Sequence, residues 1–254
     1  MVKSYTPAAV LFLHAFPLNK KMFQFQFEAF EKENIPYIAI DYPGFGENPP
    51  VPYEYTLTQL TDYIAFRLNE LGIKKVIPIG DSMGGYIMFE LWRHYPEIIS
   101  GFIFTATRAE ADTEEAKKAR FATIERVQKE GKDFLIEFML EAQTAPATKK
   151  DTKKMELLKC IMNESTDEGI ITALKALASR EDNTELLSSI DVPTLVIAGA
   201  DDEKVTPPEI VKPISDGIKD SIFTTIPNAA HLPPFENPEE YNKIVIPFIK
   251  EIIG

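Results

Sequence analysis

Short apolar runs alternate with longer amphipathic segments along most of the chain. AAVLFLH (8–14), IPYIAIDY (35–42), KKVIPIG (74–80), GFIFTAT (101–107), PTLVIAG (193–199) and SIFTTIP (221–227) are near-continuous apolar stretches. That pattern predicts strands covered on both faces, not the polar–apolar alternation of half-solvated ones. Helical periodicity fills the intervals. KKMFQFQFEAFEKEN precedes the second strand, and TLTQLTDYIAFRLNELG ends in a glycine stop at Gly72. MGGYIMFELWRHYP is closed by Pro96, and PEEYNKIVIPFIKEII ends the chain, with Pro247 expected to kink it. Strand–helix alternation implies right-handed crossovers and a parallel sheet, hence an α/β fold.

The rhythm breaks once. Between residues 108 and 185 no segment reads as a strand; four polar-rich helical patterns follow one another instead. Asp112, three residues before Glu115, suits a helix start, and Gly131 and Pro146 suit stops. Insertions between strands rise from the C-terminal edge of a sheet, so 108–185 is expected to form an all-helical cap. Residues 1–107 and 186–254 would then form the core beneath it.

A chain of 254 residues, 44% hydrophobic, is long enough to enclose a pocket. The net charge of −12 argues against nucleic acid and, with no polybasic cluster, against anionic membranes. The single cysteine, Cys160, excludes an internal disulfide and a cysteine-rich zinc site. Its helical neighbours suggest a buried side chain. The apolar run near the N-terminus is too short for a signal segment, and no stretch approaches the roughly 20 residues of a membrane span. A cytoplasmic monomer or homodimer is the expectation.

Candidate chemistry begins at Gly80-Asp81-Ser82-Met83-Gly84, where a buried-type strand runs directly into an amphipathic helix. The flanking glycines allow a strand and a helix to crowd one turn, and the turn would hold Ser82 Oγ at a helix N-terminus. A serine hydroxyl needs a base. Of His14, His94 and His231, only His231 follows the last strand in a loop, where it could reach the elbow. The third group must orient the imidazole. VIAGADDEKVTPP offers Asp201 and Asp202: counting from the strand-end glycine favours Asp202, whereas counting back from Thr206-Pro207 favours Asp201.

With Ser82, Asp202 and His231 in that order, the sequence resembles the α/β-hydrolase superfamily over nearly its whole length outside the helical insert. HAFPLN (14–19) looks like the family's His-Gly oxyanion loop with Ala15 in place of glycine. DYPGFGENP (41–49) looks like its Asp-x-x-Gly-x-Gly-x-Ser turn with Asn48 in place of serine, and NAAHLPPFENPEEYNKIVIPFI like its catalytic-histidine segment. The resemblance implies a Ser82–Asp202–His231 triad. It also implies an oxyanion hole from the backbone N–H groups of Phe16 and Met83, with His14 bracing that loop. No metal or organic cofactor would be needed. The family usually begins with two further strands, so a sheet of about six parallel strands lacking the N-terminal hairpin is expected.

These parts imply a serine hydrolase acting on a small or medium carboxylic ester or lactone. Met22, Phe23 and Phe138 are candidate substrate-wall residues, and Arg108, where strand meets insert, could hold a substrate carboxylate. The alternatives are a thioesterase or acyltransferase, a C–C hydrolase or lyase, and a non-enzymatic ligand receptor. The C–C or lyase reading needs a polar pocket, and the sequence shows few basic residues near the site.

Overall fold

A computed structural model describes residues 8–254; the opening residues, on which the expectation of no leader segment partly bears, lie outside the described residues. Six strands form one parallel sheet: β1 (Ala9–Leu13), β2 (Tyr37–Ile40), β3 (Val76–Asp81), β4 (Phe102–Thr105), β5 (Thr194–Gly199) and β6 (Ile222–Ile226). Their order is β2-β1-β3-β4-β5-β6, so β3 and β4 lie at the centre. Every strand predicted from the apolar runs is present, each starting a residue or more later than its run and β3 reaching one residue further, to Asp81.

Successive side chains of each strand enter two separate apolar layers, as the period of two requires. Leu11 and Leu13 of β1 and Val196 and Ala198 of β5 face one layer. α2 (Leu57–Glu70), α3 (Met83–His94) and α9 (Pro208–Gly217) complete it. Val10 and Phe12, with Leu195 and Ile197, face the other, closed by α1 (Gln24–Lys32) and α11 (Pro238–Ile253). Burying one such Leu or Phe side chain is worth about 1.5–3 kcal/mol. Two-sided cover holds for the central strands only. The edge strands β2 and β6 are partly exposed, because each lacks a neighbour on one side. Gly72 takes the left-handed conformation (φ 72°) after α2, and α11 runs unbroken through Pro247.

Between β4 and β5 the chain forms helices and no strand: α4 (Glu114–Glu130), α5 (Asp133–Gln143), a single-turn α6 (Pro146–Lys149), α7 (Thr152–Asn163) and α8 (Asp167–Ala178). α4 pairs with α8 and α5 with α7. The start of α4 differs from expectation. Thr113 caps it, its hydroxyl accepting from Ala116 N at 3.2 Å, and Asp112 is free for another role. Cys160 lies exposed on α7, because that helix turns its other face, Leu158, Ile161 and Met162, inward. No described helix is long and apolar enough to cross a membrane.

One of the tight approaches in the core is between α3 and β1. A Cβ on Gly84 would sit 2.1 Å from the carbonyl oxygen of Leu13, where no atom fits. Gly84→Ala is therefore expected to cost about 1–3 kcal/mol, the range for overpacking a tight contact. Urea unfolding tests this; an unchanged midpoint would show that α3 can lift from the sheet without penalty.

Candidate active site

The parallel sheet sends its C-terminal strand ends to one edge, and three loops converge there. β3 ends in Asp81, and the next residue, Ser82, has φ 50° and ψ −106°, a conformation strained for any residue with a side chain. Three hydrogen bonds hold it. Ser82 N donates to Thr105 O at 2.9 Å, while Thr107 Oγ1 (2.8 Å) and Gly85 N (2.9 Å) donate to Ser82 O. The strained backbone is thus fixed by its neighbouring strand and by the first turn of α3, and Ser82 faces a cavity.

Asp202 and His231 come from the loops after β5 and β6. The loops are tied by Ala200 N to Ile226 O and Asp201 N to Ala229 O, both 2.9 Å. A Cβ on Gly199 would overlap Ala230 O at 1.7 Å, so glycine alone lets the histidine loop lie across the end of β5. Asp201 points its side chain to solvent, whereas Asp202 is buried against His231, with Oδ2 to Nδ1 at 2.9 Å. Val205 N (2.9 Å) and Thr206 N (3.0 Å) also donate to the Asp202 carboxylate. Burial pushes its pKa up, but the His231 hydrogen bond and charge and these N–H groups more than offset that, leaving it at about 2. The ionised carboxylate fixes the proton on Nδ1 and leaves the Nε2 lone pair open. Nε2 is buried and without a hydrogen-bond partner among the described residues, Ser82 Oγ included.

Phe16, Ser82, Met83 and His231 line one cavity of about 230 Å³. The N–H groups of Phe16 and Met83 have no acceptor among the described residues. His14 lies behind this loop, fully buried, its ring stacked on Tyr42 with centroids 3.7 Å apart. Nδ1 donates to Ala15 O at 3.0 Å and Nε2 accepts from Tyr42 N at 3.2 Å, an arrangement that requires the neutral ring. Burial lowers its pKa to about 4, against a smaller upward pull from the Ala15 carbonyl and Asp41.

Two expected wall residues are elsewhere. Met22 and Phe23 are fully buried in the layer beneath the sheet, Phe23 packed on Phe12 with centroids 4.8 Å apart. Their segment directly follows the Phe16 loop in sequence, but its short 3-10 turn directs both side chains into the core. Phe138 is 63% exposed and lines a neighbouring apolar groove between α4 and α5, outside the cavity itself.

Other groups had no signal in the sequence. Gln143, at the end of α5, donates from Nε2 to Phe16 O at 2.8 Å and accepts His231 N on its carbonyl at 3.0 Å, so one insert residue touches both loops. Glu236 is buried and accepts from Ala230 N (2.7 Å), Leu232 N (3.1 Å), Ala145 N (2.6 Å) and Thr148 Oγ1 (2.7 Å), clamping the His231 loop to the insert. The expectation of few basic residues is also overturned. Arg108, Arg120 and Arg180 all line the cavity, carried there by the insert. No group of three or more described His, Cys, Asp or Glu side chains could hold a metal ion.

Asp81 is the one buried acid here with neither carboxylate oxygen partnered among the described residues. Burial, with the nearby charges of Glu236 and Asp202, pushes its pKa well above the carboxylate range. It takes up a proton on folding, so the stability it contributes is full below about pH 4 and is lost as pH rises towards its folded value. Asp81→Asn, isosteric with the neutral acid, is expected to melt higher than the wild type at pH 8, the gap closing towards pH 4. Calorimetry at both pH values checks this, and a gap independent of pH would mean Asp81 is ionised in the fold.

Comparison with known proteins agrees with this architecture. A family model for the alpha/beta hydrolase fold matches residues 8–136. The AB hydrolase superfamily protein YisY of Bacillus subtilis is 29% identical over 252 residues, covering 94% of this chain and 90% of that protein. 3-Oxoadipate enol-lactonase 2 of Acinetobacter baylyi is 28% identical, covering 93% and 86%. Among solved structures, a thermophilic esterase from Thermogutta terrifontis, with malate bound, superposes with a TM-score of 0.93 at 33% identity, covering 97% of this chain and 91% of that one.

Proposed function

The chain belongs to the α/β-hydrolase family, and from that premise we propose that it is a serine hydrolase cleaving short carboxylic esters or lactones through an acyl-enzyme on Ser82. The observation that carries the reading is the buried hydrogen bond from His231 to Asp202, whose far side presents an open Nε2 to the cavity that Ser82 lines. Ser82 Oγ attacks the acyl carbonyl as Nε2 takes its proton. The ionised Asp202 holds the Nδ1 tautomer and stabilises the imidazolium that forms. The N–H groups of Phe16 and Met83 receive the oxyanion, and Met83, first residue of α3, adds the positive end of the helix dipole. One such donor is worth about 2.7–4 kcal/mol at the transition state. Imidazolium then protonates the leaving alkoxide, and water, deprotonated by His231, hydrolyses the acyl-serine and restores the free hydroxyl.

In this reading residues 108–185 act as a cap over a core of 1–107 and 186–254. Support comes from the insert residues Met139, Gln143, Leu177 and Arg180, which share the cavity wall with Ser82 and His231. The volume of about 230 Å³ is below the ~300–1,000 Å³ of common ligand pockets, which favours small acyl groups.

Hydrolysis of p-nitrophenyl esters from acetate to decanoate tests this directly. Turnover is expected to be highest for acetate to butyrate and to fall for the longer chains. Ser82→Ala is expected to lower kcat by roughly 10³-fold or more. Activity surviving that substitution would remove Ser82 from the chemistry.

A further inference from the structure

Three guanidinium groups and one carboxylate, Asp112, line the cavity, an excess of positive charge inside a protein whose acids outnumber its bases 39 to 27. The three arginines are not equivalent. Arg180 is buried and committed: it pairs with Asp112 at 2.5 Å, donates to Glu110 O and Leu177 O, and lies 4.4 Å over the Tyr86 ring. Arg120 shares the same Asp112 through Nε and Nη2. Arg108 differs from both. Its Nη2 donates to Val205 O at 2.7 Å, and it forms no ion pair with a carboxylate among the described residues.

The geometry points to Arg108 as the anchor for a substrate carboxylate, so that the preferred substrate is a short ester carrying a free carboxylate a few bonds from the scissile carbonyl. Arg108 follows Thr107, whose hydroxyl holds the Ser82 carbonyl at 2.8 Å, so the guanidinium stems from the residue next to the elbow's own support. The hydrogen bond to Val205 O orients it from the loop that carries Asp202. A half-buried guanidinium in the cavity wall, with no protein acid paired to it, keeps donors free for a ligand. Its planar fork suits two carboxylate oxygens. The single acid in the wall is already shared by two arginines, which leaves Arg108 uncompensated. The cavity of about 230 Å³ keeps the linker between carboxylate and ester short.

The bond cleaved rests on the serine-hydrolase reading above; the anion site does not. The test compares monomethyl succinate with dimethyl succinate, the same skeleton with its charge masked, by pH-stat titration of the wild type, Arg108→Gln and Arg108→Lys. The wild type is expected to prefer the half-ester in kcat/KM by at least about tenfold, the scale of a charge-assisted hydrogen-bonded pair. That ratio should fall to near unity in Arg108→Gln and partly survive in Arg108→Lys. Using a ratio cancels any disturbance of the Asp202 loop, which would slow both esters alike. Equal rates in the wild type, or a preference that survives Arg108→Gln, would overturn the anchor. If neither ester is hydrolysed, the serine-hydrolase reading is judged on the p-nitrophenyl esters, and calorimetric titration of the Ser82→Ala protein decides the anchor separately. Tighter binding of monomethyl than dimethyl succinate, lost on adding Arg108→Gln, upholds it; no difference between the two overturns it.

Discussion

Ser82 is held at φ 50°, a backbone state that costs energy for any residue with a Cβ, and the surrounding structure exists in the form that keeps it there. β4 supplies the acceptor for its N–H and Thr107 the donor for its carbonyl, so the central strands bear the strain directly. α3 then leaves the turn so close to β1 that only glycine fits beneath it. The result is a hydroxyl at the first turn of a helix, at the C-terminal edge of the sheet, facing a cavity.

The rest of the site follows from where a parallel sheet puts its loops. β5 and β6 end beside one another, and backbone hydrogen bonds between their following loops place Asp202 and His231 within 2.9 Å. A charge buried this deeply is tolerated because the imidazole and two backbone N–H groups replace its hydration. Glu236 uses the same device one layer out, gathering four donors from the histidine loop and the insert. The helices between β4 and β5 also reach this cavity. Gln143 fixes both the Phe16 loop and the His231 loop, and the insert contributes Arg120 and Arg180 to the wall.

The sequence by itself determined the strands, because buried parallel strands read as unbroken apolar runs, and it determined the elbow, because the glycines around Ser82 answer a steric demand that is local. It also brought His231 and a pair of aspartates to strand ends, where the topology of a parallel sheet joins them. The choice of Asp202 over Asp201 was open until tertiary structure buried one carboxylate against the ring and left its neighbour in solvent. The wall was decided there too. Met22 and Phe23 follow the Phe16 loop in sequence, but a single 3-10 turn rotates them into the core. Asp112 reads as a helix start, yet Thr113 caps α4 and Asp112 pairs with arginines 8 and 68 residues further along the chain. Local preference is written in neighbouring residues. Which side chains meet across an insert depends on how helices pack, and contacts between residues so far apart leave no periodic trace in the chain.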